Sequence, residues 1–367
     1  MLQASESPLW ETYDLAMLDL DGVVYIGLEA VQGASAHLDR ARAAGMRLAF
    51  VTNNAARPPT AVAEHLRELG VPAGPEDVVT SAQAAARILA DRCDPGAAVF
   101  VIGGQGLFDA LEERGLRPVQ DVAEAPVAVV SGYHRDLRWG TVSDGAILVG
   151  RGLPWVAANT DISIPTPHGR GPGNGVLVET VARFAGATPV VAGKPMSPLF
   201  EETVRRVGGT RPLVVGDRLD TDIEGAVNGG YDSLLVLTGV TGLEELVAAP
   251  SHQRPSYLSC DLGGLAVRHP QPVLHATRSA HQTDATDATD AETTVQVAGM
   301  TARVRHGRLR AEGQGLLDDW WRAVACAAWR HLDTTGVHVS IDGLQPPGSV
   351  STHNDDAAPS QPTGEHL

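Results

Sequence analysis

The sequence predicts an α/β protein: a Rossmann-like core with a parallel sheet, an α/β unit inserted into that core, and a small α/β extension at the C-terminal end. Three observations carry this expectation. Strand-like apolar runs alternate with helical spacing from Leu15 to Leu237, the order that builds parallel sheets. A second strand-turn-helix series opens at Ala98, inside the first. Beyond Leu265 the composition turns polar and acidic before strands and a helix resume. At 367 residues the chain also exceeds what one hydrophobic core serves.

Taken in order, the apolar run Leu15 to Leu20 ends in Asp-Gly, and a helix through Ala34 to Ala44 leads to a second strand, Leu48 to Thr52. Val62, Leu66 and Leu69 share a helical face that stops at Gly70. The inserted series runs from AVFVIGGQGLFDALEERG through VAVVSGY and LPWVAAN to a helix ending near Gly186. TPVVAGKP then resumes the core sheet, followed by a helix over Pro198 to Val207 and strands at Pro212 to Val215 and Ser233 to Leu237. The expected domains are therefore a core in two parts, 1–84 and 187–265, around an insert at 85–186. Residues 266–294, with the repeat TDATDATDAE, read as a linker, because they carry too little apolar area to order themselves. A unit at 295–344 follows: strands TVQVAGM and ARVRHGRLR, a helix with Leu316, Leu317, Trp320, Val324 and Ala328 on one face, and a last strand VHVSI. Residues 345–367 read as a disordered tail.

Composition excludes several classes of function. A formal charge of −16 repels nucleic acid and anionic membranes, whose binding needs clustered Lys and Arg. No apolar run has the length of a membrane span, and the N-terminal MLQASESPLWETYD lacks the basic and apolar regions of a secretion signal, so a cytoplasmic location is expected. Cys93, Cys260 and Cys326 have neither metal-ligand nor redox spacing and suit a reducing compartment as small packing residues.

Four short motifs fall just after strands. AMLDLDGVVY places Asp19 and Asp21 at the carboxyl end of the first strand, where open parallel sheets form their ligand crevice. A lone DxD serves equally well as a turn cap, so the pair means little by itself. Thr52, Asn53 and Asn54 end the next strand, Lys194 ends a later one, and VGDRLDTD sets Asp217 and Asp222 beyond another. The decoys are weaker: GGQG at Gly103 to Gly106 lacks the dinucleotide spacing, and AGKP has Pro195 where a P-loop needs Ser or Thr. The histidines show no metal-ligand spacing, and Trp320, Trp321 and Trp329 at helical spacing read as packing.

Together and in this order, DxD, Thr after a strand, Lys and GDxxxD resemble the haloacid dehalogenase superfamily. More narrowly, DLDGVVY, VTNNAARPP, AGKP and GDRLDTDI resemble its type IIA capped phosphatases, over nearly all of residues 12 to 265. Val23 departs from the Thr that commonly follows DxDG, a change the subfamily tolerates. The appended unit resembles that of actinobacterial glycerol 3-phosphate phosphatases. The resemblance implies a Mg2+ site of Asp19, the Asp21 backbone carbonyl and Asp217, with Asp19 as nucleophile and Asp21 as proton donor and acceptor. It also implies that Gly22, Thr52, Asn53, Asn54 and Lys194 hold the phosphoryl group and that Asp222 orients Lys194. The chemistry suits these residue types: a dianionic monoester repels a carboxylate nucleophile, and a hard divalent cation bridges the two.

A cap selects its substrate through residues lowered over the leaving group. The resemblance implies His134, Arg135, Asn159, Asp161 and Ile164 as cap contacts, and the aliphatic Ile164 favours a small leaving group such as that of glycerol 3-phosphate over pyridoxal phosphate or a nucleotide, with phosphoglycolate as an alternative of the same family. A homodimer is the oligomeric expectation. The rival from another class is a binding or regulatory protein on a degenerate phosphatase core, acting through its C-terminal unit; the intact Asp19, Asp21, Lys194 and Asp217 count against it.

Overall fold

The computed structural model describes residues 1–166, 168–276 and 292–347. Its central sheet is six-stranded and entirely parallel, in the order Tyr257–Ser259, Asp232–Val236, Pro212–Gly216, Leu15–Leu18, Arg47–Thr52, Val78–Thr80. Leu15–Leu18 is buried at all four positions, the pattern of a strand covered on both faces. Ala16 and Leu18 face one apolar cluster, Leu15 and Met17 the other. Strand order reverses at Leu15–Leu18: the chain goes first to Arg47–Thr52 on one side and later returns at Pro212–Gly216 on the other. A crevice at the carboxyl ends of these strands follows from that reversal.

The insert forms a second parallel sheet, ordered Val190–Val191, Trp155–Ala157, Ala128–Ser131, Ala98–Ile102, Arg117–Val119. Val190–Val191 was expected to resume the core sheet; it pairs instead with Trp155–Ala157 at the edge of the cap sheet, so Lys194 follows a cap strand. A two-residue strand carries no pattern of its own, and its pairing is decided by tertiary contacts. The expected boundary at 84/85 falls within the helix Ser81–Ala90. That helix starts on a capping box, in which Thr80 Oγ1 accepts from the Gln83 amide and Gln83 Oε1 from the Thr80 amide. Its buried alanines let both sheets approach, and one apolar cluster runs from Met17 and Val51 through Ala82, Ala85 and Ala86 to Val101 and Val156.

The C-terminal unit is a four-stranded antiparallel sheet, Val273–Ala276, Thr293–Val297, Met300–Arg305 and Arg308–Gly313, covered by the helix Leu317–Thr335. Val273–Ala276 lies in the span expected to be linker and gains its strand geometry from Thr293–Val297. VHVSI does not form a strand: only Ser340 bridges, to Arg308. Trp320, Val324 and Ala328 are buried, but Leu316 and Leu317, placed on the same face by spacing, are 70% and 41% exposed because the helix begins there. The repeat from 277 to 291 and the tail from 348 lie outside the described residues.

Candidate active site

Asp19 follows the central strand, and its backbone N–H is held by the Val215 carbonyl, which fixes it at the crevice floor. Lys194 Nζ donates to Asp19 Oδ1 at 2.5 Å and to Asp222 Oδ1 at 2.6 Å. Asp217 completes the group: one carboxylate oxygen from each of Asp19, Asp217 and Asp222 lies within 4.8 Å of the others. Asp217 Oδ2 accepts from the Val240 amide, while the buried Oδ1 has no hydrogen-bond partner. Asp222 sits in a π-type turn over Leu219–Ile223, a bulge that recurs at functional sites, and its Oδ2 accepts from the Arg218 amide. Both Asp222 oxygens are therefore engaged by protein, as suits a group that orients Lys194.

Gly22 has φ +84°, and a Cβ there would stand 2.4 Å from Asp217 Oδ2; one on Gly239 would stand 2.0 Å from the same atom. The two glycines form a slot that lets the Asp217 carboxylate pass between backbones. Burial, then repulsion from Asp222 and Asp19, pushes Asp217 up to about 7. Asp222 is pushed up to about 6 by burial, against the pull of Lys194. Burial alone would depress Lys194, but Asp19 and Asp222 hold its ammonium well above the ordinary range. Three carboxylates face one ammonium, a surplus of negative charge in a mostly water-excluded place.

Asn53 is the hub of the seam between core and cap. Its Oδ1 accepts from the Lys194 amide at 2.8 Å, and its Nδ2 donates to the Lys194 carbonyl at 3.1 Å and to both Asp161 oxygens at 3.2 Å. Asn159 Nδ2 donates to the Asn53 carbonyl, its Oδ1 accepts from the Asp161 amide, and its own carbonyl accepts from Asn174. The side chains of Asn53 and Asn159, expected on phosphate and substrate, are thus occupied in holding Lys194 and Asp161. Thr52 Oγ1 accepts from the Asn54 amide, and Asn54 Oδ1 caps the turn at Ala56. The exposed His134 rests against Gly104 of the GGQG turn; Arg135 is exposed, and the half-buried Ile164 belongs to the hairpin Ser163–Thr166 with Gly169–Pro172. The hydrogen-bond network joins Asn159 and Asp161 to the core but none of these three.

Asp21 stands at the mouth, open to solvent on one side and against protein on the other, and the lost hydration raises its carboxyl pKa. Lys194, His65 and Arg57 oppose that rise. Tyr25, whose ring meets His65 edge-on at 5.1 Å, lies within the fields of Asp21 and Asp19. Arg57, His65, Arg218 and the Thr238–Thr241 loop were not singled out in the sequence. For that loop the signal was present as TGVTG directly after a core strand.

A magnesium-like cation fits this donor set: hard carboxylate oxygens, a buried Asp217 oxygen lacking a partner, and uncompensated negative charge. Fold and site define a capped α/β hydrolase whose working groups are carboxylates around one lysine. Family models described as haloacid dehalogenase-like hydrolase and HAD-hydrolase-like match residues 16–117 and 191–265. The chain is 44% identical over 255 residues to D-glycerol 3-phosphate phosphatase of Mycobacterium tuberculosis, covering 70% of this chain and 71% of that protein. It is 36% identical over 236 residues to acid sugar phosphatase of Staphylococcus aureus, covering 64% and 90%. Among solved structures it resembles glycerol phosphate phosphatase of Mycobacterium tuberculosis in complex with magnesium, with TM-score 0.76, 38% identity and coverage of 88% and 92%. It also resembles p-nitrophenyl phosphatase from Archaeoglobus fulgidus, with TM-score 0.64, 27% identity and coverage of 69% and 98%. The chain belongs to the haloacid dehalogenase-like hydrolases.

Proposed function

We propose that this chain is a magnesium-dependent phosphatase acting on small phosphate monoesters, with glycerol 3-phosphate as its substrate and the cytoplasm as its place of work. The observation that carries the phosphatase reading is Lys194 clamped between Asp19 and Asp222 beside a buried Asp217 oxygen that lacks a partner. Asp19, the Asp21 backbone carbonyl and Asp217 would hold the cation, which supplies the positive charge that lets a carboxylate approach a dianion. Asp19 attacks phosphorus, and the bond from phosphorus to the leaving oxygen breaks as Asp21 donates its proton to that oxygen. Asp21, now a carboxylate, takes a proton from water; the hydroxide attacks phosphorus and breaks the bond to Asp19, releasing phosphate. The raised pKa of Asp21 suits the first of these duties. Lys194 offsets charge on the phosphoryl oxygens, and the Thr52 hydroxyl directs them.

The substrate choice draws on the 44% identical relative and on Asp161. Asp161 is half-buried, anchored through Asn53, and keeps acceptor capacity for the hydroxyls of a small polyol leaving group. The test is phosphate release from glycerol 3-phosphate, phosphoglycolate, pyridoxal phosphate and AMP, with Mg2+ or chelator, by the wild type and Asp19→Asn. Expected are a Mg2+-dependent preference for glycerol 3-phosphate and loss of turnover in the variant. Equal rates on all four would discard the substrate, and turnover by Asp19→Asn would discard the nucleophile.

A further inference from the structure

The p-nitrophenyl phosphatase neighbour covers nearly all of its own length but only 69% of this chain, whereas the magnesium-bound neighbour covers 88%. The C-terminal unit is therefore an addition to a core that works without it elsewhere, and its contacts bear on what it does here. Its helix Leu317–Thr335 does not pack at random on the core. Trp320, Val324 and Trp329 share one buried cluster with Leu219 and Ile223, which flank Asp222, and with Leu246 and Val247; Leu237 and Leu243 pack against that cluster. Trp329 is 1% exposed, and its indole Nε1 donates to the Leu246 carbonyl at 2.7 Å. Leu246 lies in the short helix Leu243–Ala248, where its carbonyl also accepts from the Ala249 amide at 3.3 Å, so the indole adds a second, shorter bond at the end of that helix. Over the ring of Trp329 the Arg254 guanidinium sits 5.5 Å from the ring centre and pairs with Asp333.

The short helix is the continuation of the loop that holds Asp217. Val240 N–H donates to Asp217 Oδ2 at 2.7 Å, Thr241 Oγ1 donates to the Asp217 carbonyl at 2.6 Å, and Gly242 begins the helix. Displacing the helix moves the Val240 amide, and with it the Asp217 carboxylate oxygen that this amide holds, Oδ1 having no partner. Leu219, two residues after Asp217, belongs to the same cluster.

Resting on the magnesium-dependent reading above, we infer that the C-terminal helix is a brace for the metal carboxylate, and that Trp329 is a positioning residue that fixes Asp217 through Leu246 and the Val240 amide. Trp329→Phe removes the N–H while keeping an aromatic ring. Val304→Ala, in the same cluster but on the sheet of the C-terminal unit, serves as the control that loosens packing while keeping the Trp329 indole and its bond to Leu246.

The experiment is Mg2+ titration by calorimetry on the full-length chain, alongside thermal midpoints with and without Mg2+ and kcat at saturating Mg2+. Trp329→Phe is expected to weaken Mg2+ binding about tenfold, the lower end of what groups supporting metal ligands contribute, with kcat at saturation within about twofold. Val304→Ala is expected to lower the thermal midpoint and leave Mg2+ affinity within about twofold of wild type. Unchanged affinity in Trp329→Phe, or equal loss in both variants, overturns the brace. A wild-type chain that binds no Mg2+ overturns the metal-dependent reading itself, so the two failures are told apart.

Discussion

Lys194 is the only lysine among 28 Lys and Arg residues, so the one place where this chain does not use arginine is the middle of its carboxylate cluster. A compact ammonium fits between Asp19 and Asp222 where a planar guanidinium, with its fork of five donors, does not. Lys194→Arg should therefore lower kcat by at least about 100-fold, the size of loss seen when a transition-state donor is misplaced, with the fold retained by circular dichroism. Activity within a few-fold of wild type would mean that charge alone suffices there. Gly22 answers to geometry in the same way: Gly22→Ala puts a methyl against Asp217 Oδ2 in a left-handed backbone. A rise of roughly tenfold or more in the Mg2+ concentration for half-maximal rate is expected, comparable to disturbing a group behind a metal ligand. The places of Asp19, Asp21 and Asp217 were legible because each follows a buried core strand, whereas Lys194, after a two-residue edge strand, was legible only from its order among the motifs. The role of Asn53 was not, since TNN reads as a phosphate loop and nothing local reveals that its amide faces Lys194 and Asp161.

Among elements, the seam between the two sheets hangs on the turn after Arg47–Thr52. Asn53→Ala leaves the Lys194 amide and carbonyl and the Asp161 carboxylate without their partner, each half-buried or buried. A loss of about 2–3 kcal/mol is expected from stranding these groups, read from urea unfolding, and kcat/KM should fall further than that of Asp161→Ala because Lys194 also loses its anchor. If Asp161→Ala were as damaging as Asn53→Ala, the amide would matter only through the cap. The strands of the core sheet were legible because they are continuous apolar runs covered on both faces, as LAML and LAFVT are. The pairing of Val190–Val191 and the existence of Val273–Ala276 were not, because both are strands only by virtue of a neighbour far away in sequence. VHVSI alternates as a strand should, yet its bridge to the neighbouring strand is made at Ser340, with Leu309 N–H and the Gly307 carbonyl.

At the scale of the whole molecule, the N-terminal segment and the end of the core meet at His269, which is 2% exposed. Its backbone N–H donates to Ser5 Oγ, its Nε2 lies 2.9 Å from the Gly264 carbonyl, and its ring stands edge-on to Tyr257 at 4.9 Å. Its Nδ1 is buried without a partner, so a second proton would have nowhere to be solvated. Burial, then repulsion from Arg322, depresses the imidazole to about 4, against the pull of the Gly264 carbonyl and Asp318. An unfolded histidine titrates near 6.5, so between that pH and about 4 the unfolded chain binds the extra proton and the folded chain does not. The stability held by neutral His269 is thus complete above pH 6.5 and drains away as the pH falls through this window, by about 2 kcal/mol between pH 7 and pH 5. His269→Gln keeps a donor for Gly264 but cannot titrate. Urea midpoints at pH 7 and pH 5 should accordingly fall less in the variant than in the wild type, by an amount equivalent to about 2 kcal/mol. Parallel losses in the two proteins would show that His269 is protonated in the fold as readily as in water, and that acid sensitivity enters through the carboxylates instead.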